Sequence, residues 1–303
     1  MYLLSRGSGY PVLFIHGIPT SGQLWSGVID KLLGRFTCMA VDLPGLGRTP
    51  RGHREEGCSI SQLEKLAGQI EKIRMEHGIA KWHVVGHDAG SAVAVHYAYR
   101  FQDRVDRLAL LSPAVFPELK PFHLFRIIRR PVIGELLAPA VSAIFWNIAM
   151  RYATGKDRAG LDDVVEDFHA PFSGPLGAWR LMSVLRFGDP AEILASIPSM
   201  LPQLLIPTLI FQGSRDAAIP EMFARRASAL IPRSKVIMVD SGHFIPLNNP
   251  QVVAAELLNF FGGDGAAFEG SGAANWTANL ATASCWSELD CETGLGGLDG
   301  AGL

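Results

Sequence analysis

The hydrophobic positions of this chain form short continuous runs that are separated by longer stretches with helical periodicity. The apolar runs lie at 11–15, 36–41, 82–85, 108–111, 207–213 and 235–239, and the helical stretches at 59–77, 91–101 and 250–261. A short apolar run without alternation predicts a strand that is buried on both faces of a parallel sheet. The alternation of such strands with helices predicts an α/β fold with a doubly wound, mostly parallel sheet.

One long segment interrupts this alternation. From about Phe116 to Met200 the chain has helical stretches broken by Pro and Gly, without a clear strand. We interpret it as a helical lid that is inserted after the strand at 108–111. Within it, residues 131–150 are long enough for a membrane span. The prolines, Gly134 and Glu135 argue against an integral span, and they favour a buried lid helix that faces an apolar pocket, with peripheral membrane contact as the alternative.

The chain therefore divides into four parts. Residues 1–115 and 201–263 form the two halves of the α/β core, and residues 116–200 form the lid. Residues 264–303 are rich in Gly, Ala and Ser and lack periodicity, which predicts a disordered tail outside the core. Little chain precedes the run at 11–15, so antiparallel strands at that edge are expected to be short or missing.

Composition excludes several classes of protein. Hydrophobic residues make up 48% of the 303 residues and charged residues 18%, which is typical of a globular protein, and a net charge of −2 gives no reason to expect nucleic acid. The four Cys form no disulfide framework and the N-terminus lacks a signal-peptide core, so we expect a cytoplasmic protein. No His pair has metal-ligand spacing, and we assign no metal and no cofactor.

The stretch Gly86-His87-Asp88-Ala89-Gly90 joins the strand at 82–85 to an alanine-rich helix. Small residues two positions before and after the central one let the backbone close a tight turn, as in a nucleophile elbow. The usual central residue is Ser, and here it is Asp88. A carboxylate at this place changes the expected chemistry.

Two further residues complete a set in the order nucleophile, acid, histidine. Asp216 follows the strand at 207–213, and His243 follows the strand at 235–239. Functional groups of open parallel sheets collect at the carboxyl ends of the strands. Asp88, Asp216 and His243 all stand at such ends, which random surface positions would not produce. An Asp after a strand is often only a helix cap, and Asp42 has that role in our interpretation.

Two other histidines are interpreted as structural. His87 neighbours the nucleophile, and its side chain is expected to point away from the site. His16 is expected to brace the following loop by hydrogen bonding. His243 could itself be a structural histidine, although the Ser-Gly before it favours a loop.

At this point the chain resembles the α/β-hydrolase fold, and within it the branch of epoxide hydrolases and haloalkane dehalogenases that uses an Asp nucleophile. The resemblance covers roughly residues 10–262. It rests on His16-Gly17-Ile18-Pro19, on Asp42-Leu43-Pro44-Gly45-Leu46-Gly47, on the elbow, and on the loops around Asp216 and His243. Five motifs in the expected order imply this fold with an inserted lid.

An Asp nucleophile favours attack on an sp3 carbon, because attack on an acyl carbon would form a reactive anhydride. The product is an alkyl ester on Asp88, which water activated by His243 can hydrolyse while Asp216 orients the imidazole. The oxyanion that forms on Asp88 needs donors, and the backbone N–H groups of Ile18 and Ala89 are the natural pair.

The leaving group stays open between two families. Epoxide hydrolases typically use two lid tyrosines, but this lid has Tyr152 alone, and Trp179 stands where the second would precede Arg. Dehalogenases usually place a Trp after the nucleophile and a second donor after the His-Gly, where this chain has Ala89 and Ile18. Trp179 or Trp146 is a candidate lid donor.

We favour epoxide hydrolysis because Tyr152 can supply one acid, and haloalkane dehalogenation is the alternative. The aromatic lid predicts a small lipophilic substrate. A third interpretation is a non-catalytic ligand receptor on the same fold. The sequence leaves the oligomeric state undefined.

Overall fold

The computed structural model describes residues 1–50, 60–120, 130, 132–146, 150, 162–186 and 189–263. Tyr152 and the tail at 264–303 lie outside the described residues. In the described part, no helix is long and apolar enough to cross a membrane.

A single seven-stranded sheet organises the chain. Its strands are β1 (Leu3–Gly7), β2 (Tyr10–Ile15), β3 (Phe36–Val41), β4 (Trp82–His87), β5 (Val105–Leu111), β6 (Thr208–Gly213) and β7 (Ser234–Val239). Their order is β1-β3-β2-β4-β5-β6-β7. All neighbouring pairs are parallel except β1 with β3. The predicted fold class is confirmed, and β1 is the one short antiparallel strand at the edge.

Helices cover both faces of the sheet and form the insertion. They are α1 (Ser26–Ile29), α2 (Ile60–Glu76), α3 (Ala89–Arg100), α4 (Ile133–Ile144), α5 (Asp162–His169), α6 (Gly177–Leu185), α7 (Pro190–Ile193), α8 (Ile197–Met200), α9 (Glu221–Leu230), α10 (Ile245–Asn248) and α11 (Pro250–Gly262). Helices α4 to α8 lie between β5 and β6, where the sequence predicts the lid.

The core is built from the strands that the apolar runs predict. Every residue of β4 and β6 is buried, because helices cover both faces of the sheet. Trp25, Trp82 and Tyr97 are among the largest fully buried side chains, and they fill the layers between helices and sheet. This packing holds the carboxyl ends of β4, β6 and β7 at one edge, where the candidate residues stand.

The lid departs from the sequence interpretation at residues 131–150. Helix α4 spans Ile133–Ile144 there, and it packs on α6 through Ala138, Val141 and Met182. Its other side is exposed and carries large apolar side chains, so the expectation of a buried lid helix is wrong for this side. The large side chains project from the side of α4 opposite to its contact with α6.

Candidate active site

The turn between β4 and α3 places Asp88 in a strained conformation, with φ 50° and ψ −125°. Non-glycine residues rarely adopt a positive φ, and such strain is typical of nucleophile elbows. A Cβ at Gly86 would lie 2.6 Å from the carbonyl oxygen of Gly90, and one at Gly90 would lie 2.5 Å from the carbonyl oxygen of His16. The turn therefore requires glycine at both positions.

The structure brings Asp88, Asp216 and His243 together. Nδ1 of His243 lies 2.9 Å from Oδ2 of Asp216, and its Nε2 lies 3.9 Å from Oδ1 of Asp88. The exposed fraction of the side chains rises from 0% for Asp216 to 9% for His243 and 14% for Asp88. The side chain of Asp216 is thus shielded from solvent, and the carboxylate of Asp88 is the most accessible of the three groups.

Asp216 is held as an anion. Its Oδ1 accepts the backbone N–H groups of Ala218 and Ile219, at 2.8 and 2.9 Å. Burial alone would raise its pKa, but the hydrogen bond and charge of His243, with the N–H of Ile219 and the hydroxyl of Ser112, lower it to about 2. Asp216 is therefore ionised at neutral pH, and it fixes Nδ1–H of His243 as the donor. Nε2 is left to act as a base.

The pKa values of the other two groups shift upward. Burial lowers the pKa of His243, but the bond to Asp216 and the charges of Asp216 and Asp88 outweigh it. Burial also raises the pKa of Asp88, and the charge of His243 with the N–H groups of Ala89 and Ile18 offsets part of that effect. The carboxylate and the imidazole thus stabilise each other's charged forms.

The two oxygens of Asp88 have different surroundings. Oδ2 accepts the backbone N–H of Ile18 at 3.1 Å, and the N–H of Ala89 also favours the charged carboxylate. Oδ1 faces Nε2 of His243 at a distance too long for a direct hydrogen bond. One oxygen is therefore held by donors, and the other is left for reaction.

His16 braces the loop that carries the Ile18 donor. Its Nδ1 lies 2.7 Å from the carbonyl oxygen of Gly17, and its Nε2 accepts the backbone N–H of Leu43 at 2.9 Å. Burial lowers its pKa, so the ring stays neutral with the proton on Nδ1. Asp42 satisfies backbone N–H groups in the adjoining loops, those of Gly22 and Arg48.

His87 is fully buried and turned away from the substrate side of the elbow. Its Nε2–H donates to the carbonyl oxygen of His243 at 3.0 Å. Burial, with the charge of His243, lowers its pKa to about 3. The neutral ring therefore fixes the backbone of the loop that carries His243.

Sequence reasoning missed two contacts around the site. Ser112, with φ 43°, donates its hydroxyl to the carbonyl oxygen of His243 at 3.4 Å. Ser21 donates to Oδ2 of Asp167 on α5 at 2.9 Å, which joins the loop after β2 to the lid. Ser112 directly follows the buried strand β5, and this position was the only sequence signal for its contact with His243. Ser21 and Asp167 are 146 residues apart, so no local pattern links them.

The structure separates the predicted lid donors. The ring of Trp146 packs between His169 and Phe172, and its buried Nε1–H has no acceptor in the described part of the chain. Trp179 is 38% exposed and lines a surface groove of about 540 Å³ with Arg48 and neighbours on α6. Of these two, Trp146 is the enclosed donor. Tyr152 lies outside the described residues.

Metal ligands do not cluster in the described residues: no group of three His, Cys, Asp or Glu side chains there is arranged to hold a metal ion. The one described cysteine, Cys38, is a free and buried thiol in β3.

The fold and these motifs define a hydrolase of the α/β class. The family model of the α/β hydrolase fold matches residues 10–250, and the chain belongs to that family. It is similar to a cis-3-alkyl-4-alkyloxetan-2-one decarboxylase of Shewanella oneidensis, with 26% identity over 86% of this chain and 84% of that protein.

Two further comparisons describe the neighbourhood within the family. A soluble epoxide hydrolase of Corynebacterium sp. is 36% identical over 37% of each chain. The crystal structure of a putative ancestral haloalkane dehalogenase superposes with a TM-score of 0.72 and 22% identity, over 86% of this chain and 94% of that one. The latter likeness shows the fold alone.

Proposed function

We propose that this hydrolase attacks an sp3 carbon of a small lipophilic substrate through an alkyl ester on Asp88, and that the electrophile is an epoxide. One observation carries the proposal: the oxygens of Asp88 are divided between two tasks. Oδ2 is held by the Ile18 N–H at 3.1 Å, and Oδ1 has His243 Nε2 beside it at 3.9 Å.

In the first step Oδ1 of Asp88 attacks a ring carbon, and the C–O bond of the epoxide breaks. The ring oxygen leaves as an alkoxide that must take up a proton. Tyr152 is the proposed proton source. The Nε1–H of Trp146, which has no acceptor among the described residues, is the proposed supporting hydrogen-bond donor, because an indole can donate a hydrogen bond but cannot protonate an alkoxide.

In the second step His243 takes a proton from water, and the hydroxide adds to the carbonyl carbon of the ester. Negative charge develops on Oδ2, which the Ile18 N–H contacts, and the Ala89 N–H is the proposed second donor. Collapse of this intermediate breaks the bond between the acyl carbon and Oδ1, and the departing alkoxide takes the proton from His243 and leaves as the diol. The acid proton that remains on Asp88 passes to the phenolate of Tyr152, which restores the carboxylate and the tyrosine. Formation of the ester removes the charge of Asp88, so the pKa of His243 falls and its Nε2 becomes available as a base.

The gap between Nε2 and Oδ1 supports this order of events. A base that activates a nucleophilic hydroxyl sits within hydrogen-bond distance of it. A carboxylate needs no such activation, and a distance of 3.9 Å leaves His243 free to act on a water molecule instead.

The relatives favour a strained oxygen ring as the electrophile. The names of the Shewanella and Corynebacterium proteins refer to an oxetan-2-one and an epoxide, which are both small strained oxygen heterocycles. The halide alternative draws on solved structures that are too distant in sequence to carry function. A four-membered lactone is therefore a useful second probe.

Haloalkane dehalogenation is the second candidate, and one observation favours it. The enclosed Nε1–H of Trp146 lacks an acceptor in the described residues, and a departing halide could accept it. A halide held by a single donor is poorly solvated, so this candidate ranks behind the epoxide.

The test is trapping of the ester in His243→Gln. The variant is incubated separately with a panel of lipophilic epoxides, haloalkanes and oxetan-2-ones, and intact mass with peptide mapping follows. An adduct on Asp88 that carries the whole mass of the epoxide supports the proposal. An alkyl adduct that lacks the halogen supports dehalogenation.

Two controls make the result specific. His77→Gln changes an exposed histidine beyond α2 and should accumulate no adduct. His243→Gln combined with Asp88→Ala should lose the adduct altogether. If no probe modifies Asp88 while ligands still raise the melting temperature, a non-catalytic receptor replaces the enzyme assignment.

A further inference from the structure

Ser112 has a backbone conformation that serine rarely adopts. It directly follows β5, it is fully buried, and its φ is 43°. In the described part of the chain, Asp88 and Val132 are the other non-glycine residues with a positive φ. Such strain persists where the surroundings impose it, and it concentrates at active sites. Because glycine would adopt this φ without a steric cost, the turn alone does not explain a serine here.

The main chain around Ser112 is fixed by both neighbouring strands. Its N–H donates to the carbonyl oxygen of Phe211 in β6 at 2.9 Å. One residue earlier, the carbonyl oxygen of Leu111 accepts the N–H of Asp88 at 3.0 Å. The N–H of Ala114 in turn donates to the carbonyl oxygen of Asp88 at 3.4 Å. These bonds join the turn after β5 to the nucleophile elbow on one side and to β6 on the other, so they fix where the Ser112 side chain begins.

The side chain of Ser112 connects the loops that carry the acid and the histidine. Its hydroxyl donates to the carbonyl oxygen of His243 at 3.4 Å. A hydrogen bond from the same hydroxyl is among the causes that lower the pKa of Asp216. A serine hydroxyl has a single hydrogen, and here it has an acceptor on each loop. The two loops therefore meet at one buried oxygen atom.

His243 is anchored both through its ring and through its main chain. Its Nδ1–H donates to Asp216 at 2.9 Å, and its carbonyl oxygen accepts from Nε2–H of His87 at 3.0 Å as well as from Ser112. A fixed Nδ1 and a fixed carbonyl together set the direction of Nε2. His87 holds the main chain alone, whereas Ser112 interacts with the partners at both anchors. Its hydroxyl is therefore placed to align the imidazole with the carboxylate.

We propose that Ser112 is a positioning residue, and that its strained backbone is retained because its hydroxyl joins the loops of Asp216 and His243. It acts through the alignment of His243 and not on the substrate itself. The inference rests on the proposed role of His243 as the base, but the alignment can be measured without a substrate.

Two substitutions separate the hydroxyl from the strain. Ser112→Ala removes the hydroxyl and keeps a Cβ at a positive φ, whereas Ser112→Gly removes both. Ser112→Gly should therefore melt at a higher temperature than Ser112→Ala, because alanine is unfavourable at a positive φ. If the hydroxyl is what matters, the two variants should nevertheless lose the alignment of His243 to the same extent.

The first measurement is proton NMR of the full chain without substrate. An Nδ1–H that donates to a carboxylate gives a low-field resonance, and its loss in His243→Gln assigns it. We expect this resonance in wild type, and a shift or broadening by solvent exchange in both Ser112 variants. Ser234→Ala is the matched control and should keep the resonance. Ser234 is also a buried serine, and its hydroxyl donates to the carbonyl oxygen of Ile231 at 3.0 Å, but it lies at the start of β7, away from the site.

The second measurement follows the adduct on Asp88 in a single turnover, with the epoxide found by trapping. Both Ser112 variants should hydrolyse the ester about 10- to 100-fold more slowly, because a misaligned base slows the step in which it acts. Formation of the adduct should be nearly unchanged, since the carboxylate attacks without help from a base. Ser234→Ala should match wild type in both steps.

Three outcomes would overturn the proposal. The first is a wild-type resonance, or wild-type ester hydrolysis, in both Ser112 variants. The second is a loss in Ser112→Ala that Ser112→Gly does not share, which would assign the role to the backbone. The third is an equal loss in Ser234→Ala, which would reflect general destabilisation.

Two safeguards keep the test decisive. Thermal melting followed by circular dichroism checks that each variant is folded, and Ser112→Gly decides the matter if Ser112→Ala does not fold. If no probe forms an adduct on Asp88, the proposed function fails, and the resonance of His243 still decides whether the Ser112 hydroxyl aligns the ring.

Discussion

The core and the lid of this protein treat polar and apolar side chains in opposite ways. At the edge of the sheet, Asp216 and His243 are almost completely buried and every contact between them has a defined donor and acceptor. On α4 the side chains that normally fill a core, such as Leu136, face outward. The core thus encloses polar contacts, whereas the described lid helix α4 exposes apolar side chains. The predictions below test this division, beginning with the largest effect.

Asp88→Ala should reduce turnover of any substrate by about 10⁴-fold or more, because it removes the only group that can form the ester. Steady-state kinetics with the substrate found by trapping gives the ratio. Asp103→Ala serves as the control and should keep full activity, because it removes a surface carboxylate outside the lid whose side chain is 71% exposed. Substantial residual activity in Asp88→Ala would place the nucleophile elsewhere.

Asp216→Asn should lower activity by roughly 10³- to 10⁴-fold, because the amide no longer fixes Nδ1–H of His243 as the donor. The loss should fall mainly on hydrolysis of the ester, so the variant should accumulate the adduct on Asp88 in mass spectra. It should also lower the pKa of His243, since the bond and charge of Asp216 raise it. Unchanged turnover would contradict the role of Asp216.

Acid should separate the two steps in the wild-type enzyme. In the ester intermediate the charge of Asp88 is gone, but the bond to Asp216 and its charge still raise the pKa of His243, and protonation of Nε2 removes the base. Hydrolysis of the ester therefore slows as the pH falls through that pKa. The imidazolium stabilises the carboxylate of Asp88, so attack continues to lower pH. Quenched mass spectra over a pH series should show the adduct rising as the pH falls through the pKa of His243. His243→Gln should show no such dependence in the hydrolytic step.

The smallest effect concerns the bond that joins the two regions. Ser21→Ala and Asp167→Asn should each destabilise the protein by about 1 kcal/mol, and the double variant by less than their sum, because the pair is one hydrogen bond. Chemical denaturation measures the coupling. Ser214 and Asp240 form a solvent-exposed hydrogen bond outside the lid. A second double-mutant cycle on this pair is the comparison, and it should show almost no coupling. Equal coupling free energies in both cycles would show that the bond between Ser21 and Asp167 stabilises the protein no more than an exposed surface bond does.

Sequence patterns predicted the core better than the lid for a physical reason. A strand buried on both faces leaves a continuous apolar run, and the run at 36–41 coincides with β3. The positions of Asp88, Asp216 and His243 follow from strand ends. Lid helices carry no such constraint, because Pro and Gly interrupt them and each packs on one side only. The apolar composition of the outward face of α4 is that of a buried helix face. Only the packing of the opposite side on α6 shows that this face is exposed.

Side-chain contacts between residues that are far apart in the sequence could not be predicted from sequence patterns either. The elbow predicts that Asp88 needs backbone donors, and the structure places the Ile18 N–H at 3.1 Å. No local sequence pattern around Ser112 predicts its hydrogen bond to His243, and none around Ser21 predicts its bond to Asp167. Trp179 matched a family position in the sequence, yet it lines a surface groove. Motifs therefore located the candidate residues Asp88, Asp216 and His243, while the surroundings of the lid residues needed the three-dimensional arrangement.

The donors proposed for the oxyanion belong to the backbone of Ile18 and Ala89, and this has a consequence for how such an enzyme can diversify. A mutation at either codon exchanges the side chain but retains the N–H, unless it introduces proline. Both side chains are only partly buried beside Asp88. These two codons can therefore drift under selection for new leaving groups without loss of the donors that ester hydrolysis needs. Libraries randomised at positions 18 and 89 should be unusually rich in active variants with altered substrate preference.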